Sequence, residues 1–276
     1  MKNILVLGAS GMAGSTIYKY LKLSGYNVLS TARNDKYIRP DYYISADNIK
    51  DIKDIIEKQK IDVVINCIGL LVKECNENLG QALYINGILP HCLERITLKT
   101  KTKVIHLSTD CIFSGMKGNY SESDNPDETD NYGRCKLVGE IINRKDLTLR
   151  MSIIGNEVKS NGSGLFDWFM RQEDTIKGYS KCFWSGITTL ELAKQIKKII
   201  ELPTNLTGLY HLSPDFFISK YSLLKLMAKI FNKKIIINSD DTVKKNKVLI
   251  NNRKKDYYPD IPSYIDQLEQ MKEFIG

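Results

Sequence analysis

Short apolar runs alternate with amphipathic segments along the first 150 residues of the chain. The runs that predict buried strands are Lys2–Leu7, Tyr26–Ala32, Tyr42–Ser45, Asp62–Ile68, Val104–Ser108 and Leu147–Arg150. The segments that predict helices are Met12 to about Ser24, Ile49–Gln59, Leu79–Leu98 and Tyr132–Arg144. Strands that alternate with helices form right-handed βαβ units, so the pattern predicts an α/β fold with a doubly wound parallel sheet.

The alternation becomes less regular after about Ser152. Helical patterns continue at Gly164–Met170, Thr189–Glu201, Lys220–Phe231 and Ser263–Phe274. Short strand patterns lie between them at Gly208–Leu212 and Ile235–Asn238. We therefore expect residues 153–276 to form mainly a smaller C-terminal lobe, with the segment at about 188–212 returning to the first domain.

Composition narrows the class of protein. The chain has 276 residues, of which 42% are hydrophobic and 26% charged, as in an ordinary soluble globule. The net charge of +8 favours an acidic ligand, but the lysines are spread along the chain, which argues against nucleic-acid binding. The densest basic run, at residues 244–247 and 253–255, is interpreted as a surface loop.

The cysteines and histidines do not have the spacing of a metal site. The six cysteines contain no C-x-x-C pair, and the three histidines are isolated from one another. His106 falls in an apolar strand pattern and is interpreted as a packed core residue. No stretch reaches the roughly 18 apolar residues of a membrane span, and the N-terminus lacks a signal-peptide pattern. The sequence thus predicts reduced thiols, no metal, no membrane insertion and a cytoplasmic location.

A glycine-rich turn joins the first strand to the first helix. It reads Gly8-Ala9-Ser10-Gly11-Met12-Ala13-Gly14. Glycines at this junction permit a tight turn and let a pyrophosphate approach the backbone, while the helix N-terminus supplies amide donors. Residues 1–152 are therefore predicted to form a dinucleotide-binding domain of the Rossmann type, with Gly8, Ser10, Gly11, Met12 and Gly14 at the cofactor.

The end of the second strand carries an arginine where the adenosine ribose is usually read. Arg33 lies 19 residues after Gly14 and suits a 2′-phosphate, so the sequence predicts NADPH (NADP) rather than NADH, although the nearby Asp35 leaves the choice open. Other candidate cofactor contacts follow the neighbouring strands: Asp47, Asn48, Cys67, Ile68 and Gly69.

Residues able to act on a carbonyl follow the next strand and begin the next helix. Ser108, Thr109 and Asp110 end the strand at the carboxyl edge of the sheet, where ligands of such folds bind. Tyr132 and Lys136 are four residues apart and share one helix face. A phenol beside an ammonium is expected to have a lowered pKa and to act as a proton donor.

These motifs together resemble the extended short-chain dehydrogenase/reductase superfamily, and within it the dTDP-4-dehydrorhamnose reductase family, which acts on nucleotide sugars. The segments that carry the resemblance are Gly8-x-x-Gly11-x-x-Gly14, Asn66-Cys67, Tyr84–Gly87, Ser108–Gly115, Gly118–Glu122, Tyr132–Glu140 and Leu149–Ser152. The resemblance is strong up to about Gly155 and looser beyond it.

The resemblance implies roles for the reacting residues. Tyr132 would donate a proton to the C4 oxygen of the sugar as hydride arrives from NADPH, and Lys136 would hold the nicotinamide ribose and lower the pKa of the tyrosine. Thr109 would polarise the carbonyl, with Ser108 beside it at the cofactor. The residues expected at the substrate are Asn86, Thr109, Cys111, Tyr132, Ser152, Ile153 and Trp184.

The chain departs from the family pattern in the sugar pocket. Family members often place a tryptophan after the sixth strand, where this chain has Ile153, and we expect Trp184 to replace it from another loop. In these segments the chain resembles polysaccharide-pathway reductases that act on UDP-linked N-acetylated 4-keto-6-deoxysugars. The substrate is therefore left open between dTDP-4-dehydrorhamnose and such a UDP-linked analogue.

Two alternatives are also open. An NAD-retaining epimerase or dehydratase of the same superfamily is disfavoured, because dehydratases place a glutamate where this chain has Cys111, and Arg33 disfavours NAD. A non-catalytic regulatory subunit is disfavoured by the joint presence of Thr109, Tyr132 and Lys136. Many relatives form dimers, so the resemblance leaves a homodimer open.

Overall fold

A parallel sheet of seven strands forms the centre of the computed structural model, which describes residues 2–158 and 162–276. Its strands are β1 (Asn3–Leu7), β2 (Asn27–Ala32), β3 (Tyr42–Tyr43), β4 (Val63–Asn66), β5 (Lys103–Thr109), β6 (Leu147–Met151) and β10 (Gly208–His211). Their spatial order is β10-β6-β5-β4-β1-β2-β3. Strands β2 and β3 lie on one side of β1, and β4, β5, β6 and β10 lie on the other side. This change of direction opens a crevice at the carboxyl ends of β1 and β4. The predicted doubly wound sheet is confirmed.

Helices cover both faces of this sheet. They are α1 (Met12–Leu23), α2 (Ile49–Lys58), α3 (Val72–Glu77), α4 (Leu79–Ala82), α5 (Leu89–Thr97), α6 (Asn131–Val138), α7 (Leu165–Arg171), α8 (Thr189–Glu201), α9 (Lys220–Ile230) and α10 (Tyr264–Ile275). Alternate residues of β1 supply the two cores: Ile4 and Val6 pack towards α1 and α8, and Leu5 and Leu7 towards α2 and α5. Because central parallel strands are covered on both faces, they are apolar throughout.

The C-terminal lobe contains a second sheet. It is formed by β8 (Thr175–Trp184), β11 (Ile218–Ser219) and β12 (Ile236–Asn246), in the order β11-β8-β12, and β7 (Ile153–Ile154) pairs with β9 (Ile187–Thr188). Its apolar core packs β8 against α7, α9 and α10. The segment that contains α8 and β10 joins the layers of the central sheet, because α8 packs on α1 and β10 pairs with β6.

Several elements differ from the sequence-based predictions. The helix predicted over Leu79–Leu98 contains a π-helical segment, Leu83–Ile88, between α4 and α5. Helix α6 ends at Val138 rather than Arg144, because Gly139 is a poor helix former and Glu140 turns inwards. Strand β8 was not predicted. Residues 244–246 belong to β12, so this part of the basic run is not a loop, whereas residues 254 and 255 lie in an exposed turn as predicted.

In the part of the chain that the structure describes, the helices are too short or too polar to cross a lipid bilayer.

Candidate active site

The glycine turn lies in the crevice between β1 and β4. Gly8 has a φ of +77°, which favours glycine, and a Cβ at this position would come within 2.9 Å of the Ile68 side chain. A Cβ at Gly14 would lie 2.3 Å from the Gly8 carbonyl oxygen, so α1 packs directly on the turn. Gly11 precedes α1 without a side-chain cap, which leaves the first-turn amides for a ligand. The turn therefore fits a dinucleotide pyrophosphate.

The loop after β4 lies against this turn. Cys67 and Ile68 are partly exposed and Gly69 is exposed, and the Cys67 amide donates to the Leu7 carbonyl over 3.1 Å. Ser10 and Met12 are also partly exposed. The structure thus brings together the predicted contacts from the glycine turn and from residues 67–69.

The cofactor contacts predicted at Arg33, Asp47 and Asn48 follow β2 and β3. Arg33 follows β2, is exposed, and forms no ion pair within the described residues. Asp47 is exposed, and a hydrogen bond with Ser45 lowers its pKa. The side-chain oxygen of Asn48 instead accepts the Asp51 amide at the start of α2, which makes Asn48 a helix cap.

The reacting residues meet where β5 ends and α6 begins. Asp130 caps α6 by accepting the Gly133 amide over 2.6 Å. A Cβ on Gly133 would lie 2.5 Å from the Cys111 carbonyl oxygen, so the helix packs closely on the 3₁₀ turn Asp110–Ile112. This packing brings Tyr132 close to Thr109, whose hydroxyl accepts the Cys111 amide over 3.1 Å.

The expected lowering of the Tyr132 pKa by Lys136 is wrong for the free protein. Burial raises the pKa of Tyr132, as does nearby Cys111, while the Thr109 hydroxyl acts in the opposite direction. The Lys136 ammonium points into the sheet and donates to the Leu107 carbonyl oxygen over 2.6 Å. Burial lowers the pKa of Lys136 to about 8. The phenol therefore keeps its proton at neutral pH.

Ser108, predicted at the cofactor, has a structural partner within the protein. Its hydroxyl donates to the buried carboxylate of Glu140 over 2.7 Å, and that carboxylate also binds Arg150. The serine side chain is buried, on the face of β5 that faces Glu140. Ser108 thus anchors the end of α6 to the sheet, and its contact with the cofactor stays a prediction.

The side chains of Asn86 and Trp184 also have partners within the protein. Asn86 is fully buried in the π-helical segment, and its amide exchanges two 2.9 Å hydrogen bonds with the backbone of Leu70. Trp184 is 2% exposed in β8, stacks on Tyr264 and donates to the Ser152 hydroxyl over 2.7 Å. Both side chains are engaged within the protein, and their contact with a sugar stays a prediction.

The other predicted substrate residues lie closer to the crevice. Ser152 and Ile153 are partly exposed where the chain leaves β6, although the Ser152 hydroxyl is taken by Trp184. Cys111 is partly exposed beside Thr109, and burial, together with Asp110, raises the pKa of its thiol to about 12. A thiol with that pKa is a poor acid at neutral pH.

Two lysines of the C-terminal lobe reach this region and were missed from the sequence. Lys220 begins α9, with its ammonium 5.0 Å from the centre of the Trp184 ring, and its charge interacts with Asp110 and Cys111. Lys247 follows β12 and donates to the Glu128 carboxylate over 3.2 Å. Both lysines are far from the Ser-Thr-Asp motif in the sequence, so no local pattern predicted that they lie close to it.

A Rossmann-type sheet with a glycine turn, a strand-end hydroxyl and a Tyr-x-x-x-Lys helix at one crevice defines a short-chain dehydrogenase/reductase type of protein. A family model described as the RmlD substrate binding domain matches residues 1–247. The chain belongs to this family, which confirms the resemblance derived from the motifs.

Curated relatives include a probable low-salt glycan biosynthesis reductase, Agl14, of Haloferax volcanii, which is 30% identical over 54% of this chain and 52% of its own length. The chain thus spans about half the length of that relative. The spore coat polysaccharide biosynthesis protein SpsK of Bacillus subtilis is 28% identical over 80% of this chain and 76% of its own length. Methionine adenosyltransferase 2 subunit beta of Xenopus tropicalis is 24% identical over 84% and 72%, respectively.

Among solved structures, a dTDP-4-dehydrorhamnose reductase of Bacillus anthracis in complex with NADP superposes with a TM-score of 0.86, covering 100% of both chains at 20% identity. At that identity the likeness establishes the fold.

Proposed function

We propose that the protein reduces the C4 ketone of a nucleotide-linked 4-keto-6-deoxysugar with NADPH. The observation that carries the proposal is that Tyr132, in the first turn of α6, lies beside Thr109 at the carboxyl end of β5. Two hydroxyls at that edge can bind one carbonyl oxygen, and the glycine turn in the same crevice fits the pyrophosphate of a dinucleotide.

The chain's own residues would polarise the ketone and protonate its oxygen. Thr109 donates a hydrogen bond to the carbonyl oxygen, and Tyr132 transfers its proton to that oxygen as the C4 carbon accepts hydride, giving a secondary alcohol. NADPH, when bound, supplies the hydride. Because burial raises the pKa of Tyr132, the phenol is protonated and ready to donate at neutral pH.

The exposed position of Arg33 at the end of β2 supports NADPH over NADH. A guanidinium can bind a 2′-phosphate through two hydrogen bonds, whereas a free 2′-hydroxyl is usually recognised by a carboxylate. The similar solved reductase of Bacillus anthracis holds NADP, which is consistent with this choice.

A role in surface-polysaccharide precursor synthesis follows from the relatives. One is named a glycan biosynthesis reductase and another a spore coat polysaccharide biosynthesis protein. The replacement of the family tryptophan by Ile153, with Trp184 buried, indicates a sugar pocket of different shape. We therefore include UDP-linked N-acetylated 4-keto-6-deoxysugars beside dTDP-4-dehydrorhamnose as substrates.

The test is a panel of nucleotide 4-keto-6-deoxysugars, with dTDP and UDP carriers, scored by the loss of NADPH absorbance and by analysis of the alcohol product. We expect turnover of at least one member with NADPH and slower turnover with NADH. No turnover of the whole panel by folded, NADPH-binding protein would contradict the proposal.

A regulatory role is the second candidate, favoured by the relative named as a subunit of methionine adenosyltransferase. A regulatory subunit need not turn over any sugar, and its effect would be on the activity of a partner enzyme. Stable binding to a methionine adenosyltransferase, with a change in its rate and no ketoreductase activity, would favour this candidate.

A further inference from the structure

The ammonium of Lys136 lies against a histidine inside the sheet. It is 3.4 Å from Nε2 of His106, besides the 2.6 Å hydrogen bond to the Leu107 carbonyl oxygen. His106 is fully buried in β5. Its Nδ1 lies 3.1 Å from the side-chain nitrogen of Asn66, which is its register partner in β4. Asn66, His106 and Lys136 thus form a continuous buried chain of polar groups.

The backbone fixes the direction of this chain. The Ile68 amide donates to the side-chain oxygen of Asn66 over 3.2 Å, so the amide nitrogen of Asn66 must face His106. That nitrogen can only donate, and Nδ1 of His106 must therefore accept. Burial lowers the pKa of His106 well below its usual value, so the ring is neutral and carries its one hydrogen on Nε2, facing Lys136.

A hydrogen on Nε2 has a consequence for Lys136. An N–H that faces an ammonium group is repelled by it, whereas the lone pair of an uncharged amine can accept that hydrogen. The other groups around Lys136 are the carboxylate of Glu140, which favours the charged amine, and the thiols of Cys67 and Cys75. The Glu140 carboxylate already binds Arg150 and Ser108, which reduces its influence.

We propose that His106, oriented by Asn66, is a positioning residue for Lys136 and favours its uncharged amine in the free protein. The three residues act as one unit. The Ile68 amide fixes the orientation of the Asn66 side chain, and Asn66 in turn fixes the tautomer of His106. That tautomer then influences the charge of Lys136. The protonation of Lys136 therefore depends on the backbone of the loop that lies against the glycine turn.

The tautomer is tested directly by ¹⁵N NMR of the imidazoles in the cofactor-free protein. The chain has three histidines, so His91→Gln and His211→Gln identify the signals of His106 by elimination. We expect a pyridine-like Nδ1 and a pyrrole-like Nε2 at neutral pH. The reverse pattern, or a doubly protonated ring, would overturn the proposal. This measurement needs no substrate and no substitution of Asn66, His106 or Lys136.

The coupling to Lys136 is tested with Asn66→Asp, which keeps the shape of the side chain. A carboxylate accepts from both the Ile68 amide and His106, so the hydrogen moves to Nδ1 and Nε2 becomes an acceptor for the Lys136 ammonium. We expect the ¹⁵N pattern to reverse and the basic limb of the pH profile of kcat/KM to move up by about one pH unit or more.

The exposed His91→Gln variant is the control and should leave the basic limb in place. A reversed tautomer in Asn66→Asp with an unmoved basic limb would refute the coupling. The kinetic readout rests on the proposed ketoreductase function, whereas the NMR readout does not. A protein that turns over no substrate but shows the expected tautomer would therefore contradict the proposed function alone.

Discussion

The carboxylate of Glu140 accepts two hydrogen bonds of 2.7 Å from the guanidinium of Arg150, one at each oxygen, in a buried ion pair. Ser108 donates a third hydrogen bond to the same carboxylate. Glu140 follows α6, so the pair fixes the end of the helix that carries Tyr132 and Lys136 to β5 and β6. A bidentate pair of this kind restricts orientation as well as distance.

Removal of the arginine should destabilise the protein strongly. In Arg150→Met the Glu140 carboxylate stays buried without its charged partner, and we expect a loss of about 3–5 kcal/mol in the free energy of unfolding. Urea unfolding measures the change. Lys53→Met, which breaks the exposed pair with Glu57, is the control and should change stability little. Equal effects of the two substitutions would contradict the anchoring role of Arg150.

Tyr132→Phe should remove the proton donor and leave the fold and cofactor binding in place. We expect the rate of sugar reduction to fall by about 10²–10⁴-fold, with the dissociation constant for NADPH nearly unchanged. Steady-state assays and NADPH fluorescence titration separate the two quantities. Tyr179→Phe, at a surface tyrosine of β8, is the matched control. Full turnover by Tyr132→Phe would rule out the phenol as the acid.

Stability should decrease as the pH falls below the usual histidine pKa. Burial lowers the pKa of His211 to about 4, so between that value and about 6.5 the unfolded chain binds more protons than the folded one. Buried His106, whose pKa is also lowered by burial, contributes in the same direction as His211.

Urea midpoints across this pH range test the prediction. The slope of stability against pH should be smaller in His211→Gln than in the wild type, and unchanged in His91→Gln. A stability that is flat over this range would contradict the assignment of His211 as a neutral, buried ring.

The central sheet was predictable because its strands and helices follow a strict order with clear boundaries. Strand β8 was not, because Thr175–Trp184 mixes lysines and a glycine with apolar residues, and it becomes a strand only by pairing with β12. The π-helical segment around Asn86 likewise depends on tertiary contacts with the loop at Leu70.

The candidate site was predictable in its motifs and less so in its contacts. Thr109 and Tyr132 follow from local spacing, and the structure brings them together. The hydroxyl of Ser108 and the indole of Trp184 have partners far away in sequence, which no local pattern reveals. The same holds for Lys220, which reaches the site from the other lobe.

Arg33→Ala should weaken the binding of NADPH and leave the binding of NADH nearly unchanged. If the guanidinium binds the 2′-phosphate, its loss removes a charge-assisted hydrogen bond, and we expect the KM for NADPH to rise by about 10-fold or more with the KM for NADH nearly unchanged. Arg144→Ala, at an exposed arginine after α6, is the control. Equal rises for both cofactors would indicate that Arg33 does not read the phosphate.

Lys220 occupies an unfavourable position for a cation. It lies in the first turn of α9, where the helix dipole is positive, and burial lowers its pKa. Lys220 is partly exposed, and within the described residues its ammonium forms no hydrogen bond or ion pair to protein, although Asp110 and Cys111 are near. An oxygen-rich ligand in the crevice would supply the missing acceptor, so we expect Lys220 to bind the nucleotide sugar.

Lys220→Met should therefore weaken sugar binding and leave the fold at least as stable. We expect the KM for the nucleotide sugar to rise by about 10-fold or more, the affinity for NADPH to stay unchanged, and the urea midpoint to stay equal or increase. Lys225→Met, at an exposed lysine of the same helix, is the matched control. A lower urea midpoint with an unchanged KM would instead make Lys220 a structural residue that stabilises the C-terminal lobe by covering Trp184.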